Sequence, residues 1–114
     1  MSSDLSTKHC ESCEGIGAAL NAEQVKNLKS QLNSNWEVSN DHCQISRKLS
    51  FKNFYETMAF VNALAWIANT ENHHPDLEVG YNYCKITFTT HALKGLTHND
   101  FICAAKLDKL FTSE

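Results

Sequence analysis

The chain has 114 residues, a formal net charge of -3, 42% hydrophobic and 20% charged residues, one Pro and four Gly. That is the size and balance of one globular domain, too short for a TIM barrel or a two-domain Rossmann enzyme and too poor in Pro and Gly for a long low-complexity tract. The acidic balance offers no basic face for nucleic acid, no apolar run approaches the ~20 residues of a membrane span, and the start MSSDLSTKHC has no apolar core for a secretory signal, so a cytoplasmic location is expected. Six His and five Cys are the unusual counts. An odd number of Cys in a reducing compartment argues against a disulfide framework.

In chain order, residues 1–20 are polar and then Gly/Ala-containing, which predicts a loosely held, flexible N-terminal arm, with one domain over 21–114. Asn21 is placed to cap a first helix, with Gln24 in the capping-box position; Val25, Leu28 and Leu32 follow at helical spacing, and the polar run Asn33-Ser34-Asn35 ends it. Trp36-Glu37-Val38 reads as a short strand and Asn40-Asp41 as a turn. Cys43, Ile45, Arg47 and Leu49 then share one face of an extended segment, with Arg47 breaking the alternation, so a hairpin of 36–39 with 42–51 is expected.

From Asn53 the period becomes 3.6. Phe54, Met58, Val61, Leu64, Ala65 and Ala68 form a stripe, broadened by Phe60 and Ile67, that predicts a long helix over 53–70 packed on a sheet. Beyond Pro75 the period returns to 2. Leu77, Val79, Tyr81 and Tyr83 form one set and Ile86, Phe88 and Thr90 another; a turn near Gly80 to Asn82, one longer strand and a bulged pair all fit. Thr97 caps a last helix with Asp100 at N3, and Ile102, Cys103, Ala105, Leu107 and Leu110 form its apolar side. The order α-β-β-α-β-β-α predicts an α+β fold, a four-stranded antiparallel sheet with three helices on one face. Its open sheet predicts an oligomer.

Chemistry concentrates where the long helix gives way to the third strand, in Glu71-Asn72-His73-His74-Pro75-Asp76, with His91 at a later strand end. Pro75 drives His74 into extended backbone, so the two adjacent imidazoles point in different directions. Histidine suits proton transfer at neutral pH, and imidazoles on either side of a substrate supply an acid and a base; surface or capping roles are the plainer alternative. Zinc is the rival reading, but neighbouring His residues in a strand rarely converge on one ion, and helical His-x3-His spacing is absent. His9 and Cys10-Glu11-Ser12-Cys13 supply half of a tetrahedral site at most, and a redox Cys-x-x-Cys normally opens a helix after a strand. Cys43 and Cys103 fall on apolar stripes; Cys84 is ambiguous; His42 and His98 fall in turns. Trp36, Tyr81 and Tyr83 could stack on a flat heterocycle or serve as core aromatics.

The spacing carries more than any single residue. Five residues separate Pro75 from Tyr81, nine separate Tyr81 from His91, and eight separate His91 from Asp100. This resembles the signature of the pterin-4a-carbinolamine dehydratases, in its bacterial form. Leu93-Lys94-Gly95-Leu96-Thr97-His98-Asn99-Asp100, Trp36 and Phe51-Lys52-Asn53-Phe54 are also similar to that family, over roughly 20–112. One departure is Asn69, where the family often has an acidic residue; Glu71 and Asp76 are candidates to compensate.

The resemblance implies the same α+β fold in dimers or tetramers. It implies dehydration of 4a-hydroxytetrahydrobiopterin, or a related pterin, to the quinonoid dihydropterin, in recycling for phenylalanine hydroxylase, with no metal or organic cofactor. It implies catalytic His73, His74 and His91, of which His73 and His91 share the acid and base roles, and substrate contacts from His74, Pro75, Asp76, Tyr81 and Asp100. It also raises a protein-binding alternative, a dimerisation cofactor or transcriptional coactivator using the 53–70 helix, and a role in molybdopterin metabolism. A small metal protein built on His9, Cys10 and Cys13 is a third reading.

Overall fold

The computed structural model describes residues 5–111; the parts of the expected arm (1–20) and domain (21–114) at 1–4 and 112–114 lie outside the described residues. Helix α1 is a single turn, Cys13–Ile16. Asn21 caps α2, Ala22–Lys29, through the full capping box with Gln24, and Val25 and Leu28 face inward. The helix stops short of Asn33. Gln31 and Leu32 donate to the carbonyls of Leu28 and Lys29 in tight turns, because the polar run offers no further buried face.

Strands β1 (Glu37–Val38) and β2 (Ile45–Ser50) form an antiparallel pair in which Val38 faces Ile45. The connection turns through His42 in the left-handed region, at φ 61. Arg47, the residue that breaks β2's alternation, faces the helices for a reason. Its Nη1 donates to Asp108 Oδ1 at 2.7 Å, an oxygen that also accepts from Trp36 Nε1 at 2.8 Å, while Asn33 N donates to Oδ2 at 3.0 Å. Trp36 is therefore a buried core aromatic, 6.1 Å from the Phe88 ring, rather than a surface for a heterocycle.

Helix α3, Phe54–Glu71, starts under Asn53, whose Oδ1 accepts from Glu56 N. Thr57 Oγ1 lies 2.9 Å from both the Asn53 and Tyr81 carbonyls, joining the helix start to a later turn. The buried face is Thr57, Phe60, Leu64, Ala68 and Glu71. The expected stripe is thus rotated. Phe54 and Ala65 are exposed and Met58 and Val61 half-buried, because a helix this apolar all round has no unique inward face in its periodicity.

Strands β3 (Asp76–Val79) and β4 (Tyr83–Phe88) close a hairpin through residues 80–82, which settles the open choice in favour of a turn. Gly80 is required there: a Cβ would lie 2.0 Å from Tyr83 Cε1. Val79 faces Cys84, so Leu77 and Val79 share the core-side face with Cys84 and Ile86, whereas Tyr83 points to the opposite face under Lys48. The sheet order is β1-β2-β4-β3, all antiparallel, with helices packed on the Ile45, Cys84, Ile86 and Phe88 face and Ser46, Lys48, Glu78 and Lys85 on the other. Helix α4, His98–Asp108, carries the Thr97–Asp100 capping box and buries seven residues from Asn99 to Leu107; Leu110, expected inside, is exposed past its end.

Composition alone predicts a loose arm, yet the described part is tied down. Leu5 is buried, Lys106 Nζ donates to Ser6 O at 2.8 Å, and Cys10 N donates to Glu71 Oε1 at 2.8 Å. Glu11 exchanges two bonds with the Asn99 side chain, and Leu20 N donates to Leu96 O. Burial raises the Glu71 carboxyl, but the Cys10 amide, His9 Nδ1 at 2.9 Å and the Lys106 charge outweigh it and hold the group below its ordinary range.

Asp108→Ala removes the acceptor of Trp36 Nε1 and of Arg47 Nη1, and is expected to lower the unfolding free energy in urea by about 2–4 kcal/mol with the slope unchanged. Arg47→Met, which removes the cation itself and leaves Trp36 its acceptor, is expected to cost less. Because the folded Glu71 carboxyl is depressed, its stabilisation is full above the unfolded carboxyl value and fades as the pH falls from about 5 through the folded value. Glu71→Gln is therefore expected to be less stable than the wild type near pH 7, with the gap narrowing in acid when both are unfolded across that range.

Candidate active site

The site begins where α3 stops. Asn72 takes the left-handed conformation, φ 54 and ψ 41, which Asn tolerates, and His73 N closes the helix end on Ala68 O at 3.1 Å. This turn swings the His73 ring inward. Its Nε2 lies 2.6 Å from Asp100 Oδ1, and its plane stacks on Phe88 at 5.9 Å and 7°. The Asp100 side chain is 0% exposed and that of His73 11%.

Asp100 is filled on both oxygens. Oδ2 accepts from Thr90 Oγ1 at 2.8 Å and from Thr97 N at 3.0 Å, while the Thr90 and Thr97 hydroxyls meet at 2.9 Å. A carboxylate only accepts, so Nε2 carries the proton of the short bond and Nδ1 is the His73 nitrogen turned away from Asp100. The pair is an imidazole oriented by a buried carboxylate, an arrangement that fixes ring orientation and tautomer.

The other predicted residues lie around it. His74, exposed, meets Asn69 Oδ1 through Nε2 at 3.2 Å, and Pro75 is half-buried. His91 opens a 3-10 turn, His91–Leu93, and its Nε2 lies 3.9 Å from Asp76 Oδ2. These side chains are 74% and 73% exposed, so the contact is a screened surface pair. His73, His74, Asp76, His91 and Asp100 thus gather at one end of the β3–β4 hairpin. Tyr81 does not join them within one chain. It sits in the turn at the hairpin's far end, about 13 Å away along four strand residues.

Neither candidate to replace an acidic residue at position 69 supports His73. Glu71 faces the arm and Asp76 faces His91, whereas Asp100 holds the ring. Sequence reasoning missed Thr90 as part of the site. The available signal was a hydroxyl at the inward position of the Ile86, Phe88, Thr90 series, where a buried O–H demands a partner. Tyr83 pairs with Lys48 and Glu78 on the open face, and His42 and His98 are exposed. Cys103 and Cys84 are buried as core residues, Cys43 is half-buried, and among the described residues no group of three His, Cys, Asp or Glu is arranged to hold a metal ion.

An α+β domain with a buried carboxylate–imidazole pair beside two exposed imidazoles defines a candidate acid–base site. The sequence profile described as Pterin 4 alpha carbinolamine dehydratase matches residues 18–110, and the chain belongs to that family. A Legionella pneumophila (strain Corby) protein provisionally named pterin-4-alpha-carbinolamine dehydratase is 78% identical over 110 residues, covering 96% of this chain and 97% of its own. A Nitrosomonas eutropha protein of the same provisional name is 52% identical over 96% of each chain. The crystal structure of a transcriptional coactivator/pterin dehydratase from Brucella melitensis superposes with a TM-score of 0.77 at 26% identity, covering 82% of this chain and 99% of that one. A pterin dehydratase-like protein identified as a RuBisCO assembly factor in the alpha-carboxysome has a TM-score of 0.59 at 25% identity over 70% of this chain and 93% of its own.

Thr90→Val keeps the side-chain shape and removes the O–H that serves Asp100. It is expected to destabilise the fold by about 1–3 kcal/mol, with Thr90→Ser near the wild type, as read from urea unfolding. The same change is expected to move the His73 ring resonances in an NMR spectrum.

Proposed function

We propose that the protein dehydrates a 4a-hydroxytetrahydropterin, 4a-hydroxytetrahydrobiopterin or a close relative, to the quinonoid dihydropterin and water, recycling the pterin for an aromatic amino-acid hydroxylase such as phenylalanine hydroxylase. The observation that supports it most is the His73 imidazole held at 2.6 Å by the buried Asp100. The hydroxyl at C4a leaves as water after receiving a proton, and a ring nitrogen gives one up as the double bond forms. His73 and His91 divide those two transfers. His74 orients the pterin, with Pro75 and Asp76 beside it. Asp100 acts through His73.

Tyr81 enters this reading through a second copy of the chain. Strand β3 is a sheet edge with all four residues exposed, including Leu77 and Val79. Pairing two such edges antiparallel about a two-fold axis sets the Tyr81 end of one hairpin beside the His73 end of the other. A homodimer, or a tetramer of such dimers, then completes the pterin site.

A second reading, a docking module for another protein, draws on the outer side of α3, where Tyr55 is 84% and Trp66 70% exposed. Large exposed aromatics of this kind mark interaction surfaces. It also draws on the coactivator and assembly-factor names of the two structural neighbours.

Stopped-flow dehydration of a 4a-hydroxytetrahydropterin separates the readings. His73→Ala and His91→Ala are each expected to cut turnover on the order of 10²–10⁴-fold with the far-UV spectrum unchanged. Wild-type turnover in both variants overturns the dehydratase assignment. Tyr55→Ala with Trp66→Ala is expected to leave the site's chemistry in place while abolishing any docking on α3.

A further inference from the structure

The Cys-x-x-Cys arm takes no part in the proposed chemistry, but the fold gives one of its thiols a partner. Cys10 Sγ lies 3.6 Å from Cys103 Sγ, across 93 residues of sequence, and 3.7 Å from Asn99 O. We infer that Cys10 and Cys103 are an oxidisable pair, which a hydroperoxide converts to a disulfide that fastens the N-terminal arm covalently to α4.

Three observations carry this. The first is contact: at 3.6 Å the sulfurs touch, and rotation about the Cα–Cβ bonds is the motion that brings them toward the ~2.05 Å of a disulfide. The second is fixation. Cys10 N is bonded to Glu71 Oε1 and the next residue, Glu11, is bonded twice to Asn99, so the arm holds Cys10 opposite α4 instead of letting it sample solvent. The third is asymmetry. Cys10 is half-buried and reachable by a small oxidant, whereas Cys103 is enclosed. Hydrogen bonding to Cys10, then burial, then nearby negative charge push the Cys103 thiol far up, so Cys103 is poorly suited to be the first nucleophile.

The steps balance. The Cys10 thiolate attacks the O–O bond of hydrogen peroxide, forming an S–O bond; the other oxygen leaves as hydroxide and takes up a proton as water. Cys103 sulfur then attacks the sulfenic sulfur, the S–S bond forms, the S–O bond breaks, and the departing hydroxyl takes the Cys103 proton as a second water. Two thiols lose two electrons and the peroxide gains them.

The other cysteines set the comparison. Cys84 sits inside β4 between Leu49 and Val79, and Cys43 Sγ meets the Asp41 carbonyl at 3.4 Å. Neither is expected to bridge. The bridge lies one helical turn beyond Asp100, so oxidation would staple the arm against the helix that carries the His73 carboxylate partner.

The experiment is peptide mapping of the full chain after stoichiometric hydrogen peroxide and alkylation, without reduction. The expected result is a Cys10–Cys103 linked peptide, an intact mass lower by about 2 Da and reversal by dithiothreitol. Because the bridge closes a loop of more than ninety residues, oxidation is also expected to raise Tm on the order of 10 °C. Cys13→Ser is expected to keep both effects, and Cys10→Ser, a change at a half-buried position, to lose both. A Cys10–Cys13 link as the main product, oxygen added at Cys10 with no bridge, or Cys103 left fully alkylatable after unfolding overturns the inference.

Discussion

The fold and the candidate site meet on the Asp100 carboxylate. A fully buried charge is costly unless every lone pair it turns inward finds a donor, and Asp100 finds one from each of three elements. Thr97 N comes from the start of α4, Thr90 Oγ1 from the end of the sheet, and His73 Nε2 from the residue just past α3. Losing any of the three removes a donor from a carboxylate that has no access to water. The carboxylate therefore specifies how the end of one helix, the end of β4 and the start of another helix sit together. It orients the imidazole as a by-product of the same requirement. Capping and positioning, which look like competing explanations for an Asp at this place, are the work of its two oxygens.

Glu71 repeats the device at the back of the site. It is a second buried carboxylate, at the last residue of α3, with donors from the arm, Cys10 N and His9 Nδ1, and an ion pair to Lys106 of α4. The turn that follows it delivers His73. The two carboxylates thus clamp the short run 71–73 from opposite sides, one facing the arm and one facing the catalytic candidate. The Cys10–Cys103 contact lies next to this clamp, so the state of the two thiols bears on how firmly the arm completes it.

Much of this was legible in the sequence, because local rules dominate where it was. Both capping boxes rest on contacts three residues apart, so Asn21 with Gln24 and Thr97 with Asp100 can be read without tertiary knowledge. The hairpin strands and the long helix show through period. What failed did so where tertiary packing decides. The inward face of α3 rotated because a helix apolar on every side leaves its orientation to the sheet, and Leu77 and Val79 parted from Tyr83 because a three-residue turn reverses the strand between them. Arg47 looked like an error in a strand pattern and proved to be the partner of Asp108, sixty-one positions away. In the site, His73 and Asp100 were legible as a spaced pair, but Thr90 was hidden in an apolar series and the arm's attachment to Glu71 leaves no local trace.

The two outer imidazoles differ from His73 in a way that bears on how the site must operate. His73 is enclosed, stacked on Phe88 and held by a short bond, so its geometry is set before any substrate arrives. His91 and its Asp76 neighbour lie largely in solvent, with a 3.9 Å contact that water and salt weaken. The proposed proton transfer needs both groups held on the substrate, and a solvent-exposed pair at this distance does not supply that alone. The exposed edge strand β3 begins at Asp76 itself. Covering that edge with a second copy would bury Asp76, exclude water from the His91 side and bring Tyr81 of the partner subunit to the open face. The contrast between an enclosed imidazole and an exposed one is thus what the proposed dimer would resolve.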